Sequence, residues 1–250
     1  MSLDQHAQSA QGSEWWRGTF LRAIGSIGHT VMVLQPWDSP LPLKRAWCLW
    51  ELYCSHQAGV PFSVCLGPAE QRAFEAAILE DFDAVFAAFS QIDVATASAA
   101  RLSDQEAIRG AVEEEVGFAR LNAIAIGRIR EWVFEEADVI AAEAGDGPEG
   151  FRKKFQIATL FDKFGRTEQS KALYKEVIEG FTAHHGRSHL ATLMSVGNYA
   201  ELLRQEGTAE ARVEVKPLYK EVIEGKTAHH GRSHPSTLLS VGSYADLVAQ

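Results

Sequence analysis

Apolar positions along the chain change period several times, and each change marks an element. Trp15 to Ile27 places Trp16, Phe20, Leu21 and Ile24 or Ile27 at helical spacing, ending at Gly28. His29 to Leu34 (HTVMVL) is a short β-branched run before a turn at 36–42, and it reads as a buried strand. Leu43 to Ala58 is helical, with Ala46, Trp47, Trp50 and Cys54 on one side, and Val60 to Leu66 is a second short apolar run. Strand, helix, strand at this spacing predicts a βαβ unit with a parallel pair. From Glu70 the period is helical: Phe74, Ile78, Phe82, Val85 and Phe86 form a stripe, and Ser103 reads as the cap of a further helix. Residues 92–100 fit neither period. Phe118 to Ala142 then predicts a long helix, with Leu121, Ile124, Ala125, Ile129 and Trp132 inward despite Gly127.

The last third has a second organisation. Leu173 to Leu202 returns as Leu218 to Leu247 with 24 of 30 positions identical, an internal repeat of period 45. Such a period points to stacked supersecondary units, none of which covers its apolar face alone. Leu173, Tyr174, Val177 and Ile178 share one helical stripe, as do Leu218, Tyr219, Val222 and Ile223. Each stripe runs into a Gly-Arg-Ser turn at 186 or 231. A second helix follows, with Leu193, Val196, Tyr199, Ala200 and Leu203 in one copy and Leu238, Val241, Tyr244, Ala245 and Val248 in the other. Each unit is thus expected to be an antiparallel helix pair. The fold class is α+α/β: a small partial βαβ unit with following helices, then an α-solenoid fragment of antiparallel helix pairs.

Composition separates the same two parts. All six Trp and all three Cys lie in the first 132 residues, and AGDGPEG at 144–150 is the seam, giving domains at 15–143 and 151–250. A formal net charge of -9 leaves no basic footprint for nucleic acid or an anionic membrane surface. No apolar run approaches the roughly 18 residues that span a bilayer. The acidic, polar N-terminus does not read as a secretory signal, and an odd number of cysteines favours a reducing compartment, so the expected localisation is cytoplasmic.

The C-terminal part resembles tetratricopeptide repeats of the long-period, kinesin light chain-like kind. Aligned on the inter-helix glycines, Ala158, Ala200 and Ala245 fall at the family's small position in helix A, and Gly165 and Gly207 end that helix. Tyr174 falls at the aromatic position of helix B, with Tyr199, Tyr219 and Tyr244 as further repeat-packing aromatics. The resemblance implies about two and a half repeats: a degenerate unit at 151–186, a second at 188–231, and a lone helix A from 233. Three extra residues before Leu218 are expected to loosen the second helix pair or lengthen its turn, with Pro217 near the start of helix B. In the first part, VMVL, LKRAWCLWEL and VPFSVCL resemble the middle of a Toll/interleukin-1 receptor (TIR)-like domain. The family's first strands have no counterpart before Trp15, which implies a shortened gene product.

Two functions from different classes follow. Stacked helix pairs form a concave surface lined by helix A, here Asn198, Glu201, Arg204, Ser243 and Asp246. That surface is acidic and polar and suits a basic peptide, so the first reading is a protein or peptide partner, with no cofactor and no catalysis. The alternative comes from the TIR-like resemblance: in enzymatic members the glutamate of the Trp-Cys helix cleaves the nicotinamide-ribose bond of NAD, and here that residue is Glu51. A carboxylate there stabilises charge developing at the anomeric carbon, or it is simply a partly exposed helix residue. Trp47 and Trp50 line a pocket or fill the core. His184, His185 and His189 recur as His229, His230 and His234, but their spacing spans a turn and includes no acid or Cys at ligand distance, so capping or stacking is expected and no metal. Arg187 is expected to face a groove or to pair with local acids such as Glu179. Cys48 and Cys54, six apart on one helix, lie about 9 Å apart and cannot bridge. The usual phosphate-loop, dinucleotide, zinc-protease and hydrolase signatures do not occur.

Overall fold

The computed structural model describes residues 13–90 and 92–249, with backbone alone for 13–16, so the inward placing of Trp16 lies outside the described residues. The described residues form two compact units, one up to Glu136 and one from Ala137.

In the first unit, α1 (Ser13–Ile27) leads into β1 (Thr30–Val33), a 3-10 turn at Leu41–Lys44, α2 (Ala46–Ala58) and β2 (Phe62–Cys65). The strands pair in parallel, Thr30 with Phe62 through Val33 with Cys65, which is the βαβ unit the apolar runs predict. Two expectations need correcting. In α1, Phe20 and Ile24 are buried while Leu21 and Ile27 are exposed, because the i, i+4 pair alone faces inward. β1 is not buried on both sides: Met32 and Leu34 point into the core, whereas Val31 and Val33 face out. A short apolar run does not distinguish a sheet covered on one face from one covered on both.

Next comes α3 (Pro68–Ser90), which breaks at Asp81 (φ -152, ψ 78); the Asp81 carboxylate then accepts from the Ala84 N–H at 3.1 Å and caps the second half. Phe74, Ile78, Val85 and Phe89, spaced by four, seven and four residues, form the buried stripe, and Phe82 and Phe86 lie at its edge and are half-buried. The stretch that fits neither period forms a 3-10 turn at Val94–Thr96 and a bridge from Ser98 to Arg45. α4 (Leu102–Glu115) starts one residue before Ser103, with Arg101 at its N-cap and no side-chain cap. The division between the units falls within α5 (Phe118–Glu143), where Leu121, Ala125, Ile129 and Trp132 of the expected stripe are buried and Ile124 is half-buried.

In the second unit, α6 (Pro148–Lys163), α7 (Thr167–His185), α8 (Leu190–Glu206), α9 (Ala209–His230) and α10 (Pro235–Ala249) pack each against the next, a helical-repeat arrangement of adjacent pairs. Both turns into the second helix of a pair leave a glycine in the left-handed region, Gly165 (φ 74) and Gly207 (φ 69), and both pairs begin their second helix two residues later. The three extra residues therefore do not lengthen the turn. They lengthen the helix, 22 residues in α9 against 19 in α7, with Thr208 Oγ1 accepting from the Ala211 N–H and Ala211 buried in the added turn. Pro217 consequently lies inside α9, and the carbonyl it leaves, that of Val213, sits at a well-exposed residue where water can reach it.

Close helix approach in each pair depends on a glycine. A Cβ on Gly180 of α7 would lie 2.2 Å from the Phe151 ring of α6, and one on Gly225 of α9 would lie 2.5 Å from Leu193 Cδ1 of α8. Gly180→Ala is therefore expected to destabilise the chain by about 1–3 kcal/mol through overpacking, despite alanine's helix propensity. Gly242→Ala, in α10 where no atom lies within 4 Å, gains up to about 1 kcal/mol. Urea unfolding of the two variants checks the opposite signs.

Candidate functional groove

The duplication puts equivalent side chains of α8 and α10 on either side of α9. Between them lies an open groove of about 510 Å³, walled by Met194, Asn198 and Glu201 of α8 and by Leu239 and Ser243 of α10, with Tyr219 and Lys226 of α9 at its floor. Met194 and Leu239 are 52% and 73% exposed, so the walls offer apolar surface to a ligand. Of the five residues expected to line a partner surface, Asn198, Glu201 and Ser243 line this groove. Arg204 is folded onto Glu201, and Asp246 is exposed on α10 outside that lining.

A tyrosine holds each wall. Tyr174 of α7 bonds through its hydroxyl to Thr159 of α6 (3.1 Å) and accepts from Asn198 Nδ2 of α8 (3.3 Å). One repeat later, the Tyr219 hydroxyl donates to Glu201 Oε2 at 2.6 Å and also meets Ser243. Both rings are fully buried, and burial above all raises both phenol pKa values. Burial alone would push the Glu201 carboxyl up; hydrogen bonds from Arg204, Tyr219 and Gln205 more than reverse this and hold it below the ordinary glutamate value. The other expected packing positions divide: Ala158, Tyr199 and Ala200 are buried, Tyr244 is half-buried and Ala245 is exposed.

Lys226 was not visible as a site from periodicity. The signal lay in the repeat itself, where the buried Phe181 of one copy becomes Lys226 in the other. Its Nζ donates to the Ser236 carbonyl (3.3 Å) and Ser240 Oγ (3.0 Å), and burial draws its pKa below the usual lysine value.

The histidines cap and stack. His189 Nδ1 accepts from the Ala191 N–H and its ring stacks on His185 at 4.6 Å; His234 does the same with Ser236 and His230 at 4.5 Å. His184 and His229 reach the backbone carbonyls of Asp146 and Ser188, each in the turn one repeat earlier. No group of three or more His, Cys, Asp or Glu able to hold a metal occurs among the described residues. Arg187 pairs with Glu221, not Glu179, because the turn directs it to the following helix pair.

Glu51 is half-buried on α2, and its carboxyl pKa is raised by burial, with Arg45 opposing. The small cavity beside that helix is lined by Tyr53, His56, Gln57 and Arg120 among others, not by Glu51. Trp50 is buried core, and Trp47 is half-buried and stacks on Phe20 at 5.3 Å. Cys48, Cys54 and Cys65 are free thiols, and Cys54 is pushed up to about 12 by burial and by Glu115 and Glu51.

No helix among the described residues is long and apolar enough to cross a membrane. No protein-family model matches the chain, and no curated protein matches it.

Tyr219→Phe removes one donor from Glu201, so the Glu201 pKa rises and the fold loses about 1 kcal/mol at neutral pH. A carboxyl held low contributes stability that is present above its unfolded value, about 4.3, and lost as pH falls through the lower folded value. The deficit of Tyr219→Phe is therefore largest at neutral pH and shrinks in acid. Urea unfolding at both pH values, with carboxyl titration by NMR, measures it.

Proposed function

We propose that the chain is a protein-interaction module whose helical repeats hold an extended or helical segment of a partner in the groove between α8 and α10. One observation carries this: an open groove is lined by exposed Met194 and Leu239 together with hydrogen-bonding Asn198 and Ser243. Asn198 uses its Nδ2 on Tyr174, which leaves its Oδ1 to accept from a partner's backbone N–H. The glycine-turned helix pairs support reading these units as tetratricopeptide repeats of the kinesin light chain-like type. The strand-helix-strand order around Glu51 supports a TIR-like first unit. For a basic partner the support is Asp246 and the net charge of -9; Glu201 adds little, because Arg204 and Tyr219 already hold its oxygens.

Peptides selected on the immobilised full chain are expected to bind it saturably, by fluorescence anisotropy. Met194→Glu or Leu239→Glu weakens that binding by about tenfold or more, and Val213→Glu, on α9 and also exposed, leaves it unchanged. Equal binding by all three variants defeats the groove assignment.

The second reading, cleavage of the nicotinamide-ribose bond of NAD, rests on the strand-helix-strand order around Glu51, a half-buried carboxyl whose pKa burial raises. If the chain is a binding module alone, nicotinamide release from NAD does not differ between it and Glu51→Gln. Release that disappears in Glu51→Gln makes Glu51 catalytic and the repeats its accessory.

A further inference from the structure

Among the lysines of the repeats, Lys154 and Lys171 show how burial of an ammonium is ordinarily offset. Lys154 of α6 reaches Glu176 at 3.1 Å and Asp146 at 3.5 Å, and Lys171 of α7 reaches Glu206 at 2.7 Å and Glu168 at 3.2 Å. Burial alone would lower the Lys154 pKa; Glu176 and Asp146 more than reverse this. The Glu206 hydrogen bond above all raises that of Lys171. Both amines are thus held as ammonium ions.

Lys226 of α9 is held differently. It is half-buried on the groove floor, and its Nζ donates to Ser240 Oγ at 3.0 Å and to the Ser236 carbonyl at 3.3 Å. It pairs with no carboxylate among the described residues. Glu201, the acid in the groove lining, already holds Arg204, Tyr219 and Gln205, and the other titratable groups of the lining near this end, His230 and His234, stack on each other. Neutral acceptors stabilise an ammonium less than carboxylates do, so burial prevails here and draws the pKa down.

The chemical consequence is nucleophilicity. Only the free amine has a lone pair to attack a carbonyl carbon, and a solvated lysine is almost wholly charged at neutral pH. Access comes from the groove, an open space of about 510 Å³ in which exposed Met194 and Leu239 offer apolar surface to a short hydrocarbon chain.

We infer that Lys226 is an acylation site, whose amine takes a short acyl group from a thioester that enters the groove. The Nζ lone pair attacks the thioester carbonyl carbon; the C–N bond forms, the C–S bond breaks, and the departing thiolate takes up the proton that the nitrogen sheds. The amide is neutral, so this position loses its charge and becomes uncharged, as its equivalent Phe181 is in the first copy. Nothing in this step requires a partner segment in the groove.

The probe is the acetyl thioester of N-acetylcysteamine, applied to the folded full-length chain at neutral pH and quenched at low conversion. The chain is then unfolded and its remaining amines are labelled with deuterated acetic anhydride, so that mass spectrometry gives the acetylated fraction at each lysine. Lys226 is expected to react about fivefold or more faster than Lys216 and Lys220, which are exposed on the same helix. In urea, where all three share one solvent, their rates agree within about twofold. Ser240→Asp places a carboxylate beside Nζ and is expected to bring Lys226 down to the rate of Lys216 or below, with circular dichroism checking the fold; if that variant unfolds, the native comparison decides alone. An equal or slower rate at Lys226 in the folded chain overturns the inference, as does an unchanged rate in folded Ser240→Asp. A preference that persists in urea also overturns it, because neighbouring sequence and not the groove then sets the rate.

Discussion

The second unit depends on how closely two helices can approach where one presents a glycine. With no Cβ at Gly180 or Gly225, the side chains of Phe151 and Leu193 enter space that any other residue would fill. A helix-interior glycine costs roughly 1 kcal/mol of intrinsic helix stability, so the packing it allows must return more than that. The return is visible in the same pairs: Val177 and Val222 are fully buried, and the Tyr174 and Tyr219 hydroxyls come within reach of the helices on both sides. Each tyrosine then ties the first helix of its own repeat to the first helix of the next. The walls of the groove are thereby held by buried hydrogen bonds, not by surface ion pairs.

Three inserted residues test how far this packing tolerates change. The left-handed glycine and the two-residue start of the following helix are the same in both pairs, so the turn is the conserved object and the helix absorbs the length. Three residues rotate a helix by about 300°, close to a full turn, so the added segment brings a side chain back near the apolar face. Ala211 occupies that place and is small enough to be buried there. At the position of Ser170, which donates to the Ala158 carbonyl, the second copy has Val215, equally buried. One copy therefore satisfies the carbonyl of the helix it packs on, and the other substitutes apolar contact.

Much of this was legible beforehand, and the divide has physical causes. The helix pairs, their glycine turns and the βαβ order follow from local periodicity and punctuation, which are properties of neighbouring residues. Capping and stacking by His189 and His234 were legible for the same reason. The Tyr219 to Glu201 bond and the removal of Arg204 from the groove were not. They require knowing which turn of α9 lies opposite which turn of α8, and three inserted residues change the sequence separation at which equivalent turns meet, from 15 between Thr159 and Tyr174 to 18 between Glu201 and Tyr219. The break at Asp81 was also hidden, since Phe74 to Phe86 keeps a helical period straight through it. The exposure of Val31 and Val33 was hidden because four residues of β-branched sequence look alike whether one face of the sheet is covered or both.

The chemistry of the groove is set by what its charges have already done. Glu201 spends its oxygens on Arg204 and Tyr219, and the Arg204 guanidinium is spent in return, so the most conspicuous ions of α8 contribute shape more than field. Lys226 differs: its Nζ donates to a serine hydroxyl and a carbonyl and to no carboxylate among the described residues, in a half-buried place where burial lowers its pKa. A partner acceptor near Lys226 would restore what burial removes, while Met194 and Leu239, in the same groove, would reward an apolar side chain. If the groove holds a partner segment as proposed, recognition rests on apolar contact and main-chain hydrogen bonding, with Lys226 to orient the segment. That division makes affinity depend on the spacing of the two walls, and the spacing depends on the glycine contacts that let α9 sit between them.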